Sequence, residues 1–81
     1  MTLYVITAEK RVDGKLSSAI GFIVEADSED EARAVGNRQL EKGGRPDWRQ
    51  WHVATALAIP ADSAAERAML ASDLVIRATR H

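Results

Sequence analysis

The dipeptide Asp13-Gly14 constrains this chain more than any other feature. It sits between two runs rich in β-branched residues, Leu3 to Val12 and Leu16 to Ala26. A tight type I′ turn needs positive φ at both central residues, which this pair tolerates. The pair therefore predicts a hairpin in which Val12 faces Lys15. Counted outward from that turn, Thr7 faces Ile20, Val5 faces Phe22 and Leu3 faces Val24, and this side is the expected buried face. The opposite side then pairs Tyr4 with Ile23, Ile6 with Gly21 and Ala8 with Ala19.

After the hairpin, Asp27-Ser28-Glu29-Asp30-Glu31 opens a helix, with Ser28 and Glu31 at the spacing of a capping box. Ala32, Val35, Gly36, Gln39 and Leu40 recur at helical spacing and mark its inner face. Gly43-Gly44 stops it, and residues 45–50 form a connecting loop. From Trp51 to Ile59 the chain alternates, with Trp51, Val53, Thr55, Leu57 and Ile59 on one side and His52, Ala54, Ala56 and Ala58 on the other. That is a third strand, ended by Pro60. A second capping pair, Ser63 and Glu66, starts a helix expected to run to about Thr79, with Ala65, Ala68, Met69, Ser72, Val75 and Ile76 inward. The stretch Ala-Asp-Ser-x-x-Glu thus occurs twice, and convergence on one way of leaving a strand for a capped helix is favoured over internal duplication. The expected fold is α+β and two-layered: a three-stranded antiparallel sheet with two helices in ββαβα order.

At 81 residues the chain has room for one domain (1–81), and an apolar fraction of 46% suits a folded one. No cysteine is present, which excludes disulfides and thiolate chemistry and points to a reducing cytoplasm. The apolar N-terminal run is short and lacks a leading basic stretch, so no signal peptide is expected, and no run is long enough to span a membrane. A net charge of −1 argues against a general nucleic-acid binder.

His52 and His81 are the only histidines, and neither has neighbours at metal-ligand spacing. No serine stands in a nucleophile motif, and the glycine pair follows a helix instead of preceding one. Neither catalysis nor a cofactor is expected. Three surfaces are candidates for binding. The acidic run Glu25, Asp27, Glu29, Asp30 and Glu31 matches a helix N-terminus electrostatically and can also meet Lys and Arg on a partner. Arg45, Trp48 and Arg49 in the loop interleave aromatic and cationic side chains, as interface anchors do; with Arg33 they make the weaker case for nucleic acid. Trp51 is expected in the core. Finally, Tyr4, Ile6, Ala8 and Ile23 would make an apolar outer sheet face. Such a face needs a cover, either the C-terminal helix or a second subunit in a homodimer.

A hairpin, a helix opening with an acidic cap such as Asp27-Ser28-Glu29-Asp30-Glu31-Ala32, and a further strand resemble many short phage and prophage proteins. Several anti-CRISPR proteins are among them, and the likeness spans about Leu3 to Ile59. The resemblance implies a protein-binding inhibitor that sits on a CRISPR effector complex and blocks target DNA binding. Glu25, Asp27, Glu29, Asp30 and Glu31 would then contact the complex. The alternative is a small homodimeric structural or assembly subunit.

Overall fold

The two strands of the hairpin run Thr2–Val12 (β1) and Lys15–Ala26 (β2) in a computed structural model that describes residues 2–43, 46–72 and 75–77. Asp13 (φ 54°) and Gly14 (φ 77°) take the positive values that a type I′ turn requires. Helix α1 spans Glu29–Lys42, a 3₁₀ turn spans Trp48–Gln50, and strand β3 spans Trp51–Ala58. Helix α2 covers Ala64–Leu70 and is followed by a short strand β4, Val75–Arg77.

These strands form a four-stranded sheet in the order β3-β1-β2-β4. β1 pairs antiparallel with β2 and β3, whereas β4 lies parallel to β2. The expectation of a three-stranded antiparallel sheet is therefore corrected to a mixed sheet within the same α+β class. The expected long second helix is cut short: Ala71 caps it, and Val75 and Ile76 leave it to join β2. Both are β-branched, and pairing with an unsatisfied strand edge outweighs the weak helical stripe they share with alanines. None of α2 is fully buried. The expected end of that helix, residues 78–81, lies outside the described residues, as does Arg45.

The hairpin register departs from the count made from the turn. Val12 faces Lys15 and Arg11 faces Leu16, but Lys10 then faces Ser18, so Ser17 is an extra residue in β2. Such a bulge shifts the pairing beyond it by one position, and a one-residue shift exchanges which face of β1 lies beside a given face of β2. Tyr4 now faces Val24, Ile6 faces Phe22 and Ala8 faces Ile20. Tyr4, Ile6 and Ala8, expected on an outer dimer face, are instead buried with Val24, Ala26, Ala32, Val35, Leu40, Trp51 and Ala56. Ile23 stays on the opposite face, beside Val5. The exchange brings Ile6 into the core in place of Thr7, whose hydroxyl would cost free energy to bury unpaired.

β3 contains a second irregularity. Thr7 faces Thr55 but Ala8 faces Val53, leaving Ala54 as an extra residue. The simple alternation expected for β3 breaks there. Trp51 and Val53 share the inner face with Ala56, and Leu57 points outward. Because Ser17 only reconciles the turn with the core register, its deletion is expected to leave the same residues paired. Stability should stay within about 1 kcal/mol of wild type. Denaturant unfolding checks this, and a collapse of the fold would show that the bulge itself is required.

Helix α1 lies on the inner face because its buried residues (Ala32, Val35, Gly36 and Leu40) follow one helical stripe. Its start is capped as expected, with Ser28 Oγ accepting from Glu31 N at 3.1 Å. Glu31 Oε1 in turn accepts from Asp27 N at 2.6 Å, one residue earlier than in the usual capping box. The second Ala-Asp-Ser-x-x-Glu stretch repeats this geometry: Ser63 Oγ accepts from Glu66 N at 3.1 Å and Glu66 from Asp62 N at 3.0 Å.

Candidate protein-docking surface

α1 ends at Gly43, whose N–H donates to the Gln39 carbonyl at 3.0 Å. β4, for its part, pairs only with Ile23–Glu25. Between them the inner face of β2 is incompletely covered by the described residues. The result is a groove of about 250 Å³ lined by Ile20, Phe22, Gln39, Leu40, Gly43 and Ile76. Among the described residues no charged side chain lines it, and Gln39 is its single polar side chain. A concave apolar surface with one hydrogen-bonding side chain is suited to receiving an apolar group and fixing its orientation. Among these residues, Gln39 and Leu40 were expected on the inner stripe of α1, and Ile20 and Phe22 in the core. An amide on an otherwise apolar helix face was the one sequence-level sign of an opening.

The acidic run is spent in part on the fold itself. Glu31 caps α1, and Glu29 pairs with Arg33 at 3.2 Å along the helix. Glu25 is half-buried in β2, opposite Arg77 in the β-ladder. Asp27 and Asp30 are exposed. In the loop, Arg49 lies over the Trp48 ring, 5.1 Å from its centre, with Trp48 half-buried and Arg49 exposed. Such a stack holds the two side chains together as a small amphipathic knob. Trp51 is buried, as expected.

Lys10 ties the loop to the sheet through a 2.7 Å ion pair with Asp47. The hydrogen bond from Lys10 holds the Asp47 carboxyl below its ordinary range, and the Trp51 indole contributes in the same direction. His52 is exposed. Among the described residues no three His, Cys, Asp or Glu side chains come together as metal ligands, and no helix is long and apolar enough to cross a membrane. The chain matches no protein-family model, no curated protein and no solved structure.

Proposed function

We propose that this chain is a non-catalytic protein-binding module that takes an apolar side chain of its partner into the groove between α1, β2 and β4. The apolar side chains that line that groove among the described residues, with Gln39 beside them, carry the reading. Desolvating apolar walls costs nothing electrostatically, while Gln39 offers a donor and an acceptor to a partner's backbone. The Trp48–Arg49 knob is a second contact of the same kind. In its sharpest form the module is an anti-CRISPR inhibitor. The groove and the exposed acids Asp27 and Asp30 would then meet a CRISPR effector complex and keep target DNA away.

Co-purification with a CRISPR effector complex tests this. Wild-type protein is expected to be retained, and Ile20→Asp and Gln39→Arg to reduce retention by about tenfold or more, since each places a charge in an apolar contact. Reversal of Asp27 and Asp30 separates the acidic contribution from that of the groove. No retention of the wild type overturns the anti-CRISPR form, and retention unaffected by both groove variants overturns the groove as the contact.

A further inference from the structure

On the outer face of the sheet, the register lines up one aliphatic row across all four strands: Leu57, Val5, Ile23 and Val75. Val5, Ile23 and Val75 are half-buried, but Leu57 ends the row 64% exposed. It stands on β3, an edge strand with no neighbour on its outer side among the described residues. Open strand edges in monomers are ordinarily protected by Lys, Pro or a bulge. The unpaired part of β2 has such protection in Lys15 and the bulge at Ser17. β3 differs: Trp51–Ala58 carries no charged residue, and its bulge at Ala54 leaves Thr55 to Ala58 regular.

We infer that a second copy of this chain pairs with the β3 edge, antiparallel and with Leu57 on the two-fold axis. In that register Leu57 meets Leu57 of the other copy, Ala56 meets Ala58, and Thr55 meets Ile59. No charge opposes another, and no large side chain faces another except the two leucines. The aliphatic row then continues unbroken through the axis into the second sheet. A partner of different sequence would have to reproduce both the edge and the row, whereas a second copy supplies them by symmetry. The contact is short, well below the roughly 1,200–2,000 Å² of a standard interface, so the dimer is weak and concentration-dependent.

Sedimentation equilibrium over rising concentration tests this. The mass of the wild type is expected to climb from 8.9 kDa towards twice that value. Leu57→Lys is expected to weaken self-association by about tenfold or more, because like charges would face each other across the axis. Leu57 is exposed, so this variant should keep its circular dichroism and unfolding midpoint. Ile20→Asp, in the groove on the other face, should dimerise as the wild type does, which separates this contact from the proposed partner site. A wild type that stays monomeric overturns the inference. So does a dimer that Leu57→Lys leaves intact, or one that only Ile20→Asp disrupts.

Discussion

Ile6→Ala is expected to destabilise the fold by about 2–5 kcal/mol, the cost of deleting a fully buried aliphatic side chain. Ile6 is 0% exposed and packs in one cluster with Tyr4, Val24, Val35 and Ala56. Rigid walls surround it: the β1 backbone below, and α1 above, held close by Gly36. The cavity would collapse little, which places the loss towards the upper part of that range. A domain of this length has roughly 4–12 kcal/mol in total, by the per-residue stability of small proteins. One truncation thus removes a large share. Urea unfolding should show a lower midpoint with an unchanged slope. Val5→Ala, one residue away on the half-buried outer face, should cost less than half as much. The reverse ranking would show that Val5, not Ile6, faces the core, and would overturn the bulged register.

The second large effect is expected at Gly36. A Cβ there would stand 3.0 Å from Val53 Cγ2 and 3.2 Å from Ile6 Cγ2. Both methyls belong to β-branched side chains with restricted rotamers, so neither moves aside freely. Replacing glycine by alanine within a helix ordinarily gains about 1 kcal/mol. Overpacking a core costs about 1–3 kcal/mol, so Gly36→Ala is expected to be neutral to destabilising despite its better helix propensity. Gly36→Val, with two further methyls and poorer helix propensity, should reach the upper end of that cost or exceed it. Combining Gly36→Ala with Val53→Ala makes room for the new methyl, and the double-mutant cycle should report favourable coupling. A Gly36→Ala protein as much more stable as the propensity scale suggests would mean that α1 does not approach the sheet this closely.

Gly36 and Ile6 also mark the boundary between what local chemistry and long-range packing decide. Asp13-Gly14 specified its turn because positive φ is a property of the residues themselves. Both Ala-Asp-Ser-x-x-Glu stretches specified their helix starts because capping hydrogen bonds close within four residues. The inner stripe of α1 was legible from its spacing, and the burial of Trp51 from its size and its neighbours.

The two bulges were not legible. Ser17 and Ala54 are small residues without local signature, and each is extra only with respect to the partner strand. Yet the offset at Ser17 sets Ile6 opposite Phe22 where a count from the turn sets Val5 there, and the offset at Ala54 leaves Leu57 facing outward. The groove depended on the same kind of information, since it exists only where α1 ends, β4 is short and β2 continues. Val75-Ile76 illustrate it most directly: as a helix end they follow a faint stripe, whereas β2 offers them a ladder of backbone hydrogen bonds.

The sequence by itself therefore determined the turn, the helix starts and the α+β class. All of these rest on residue chemistry or on contacts within a few positions. Only the tertiary structure decided the register, the fourth strand and which apolar side chains are core and which are surface. A period-two pattern is satisfied equally well by either face of a strand, and only packing against α1 distinguishes the two.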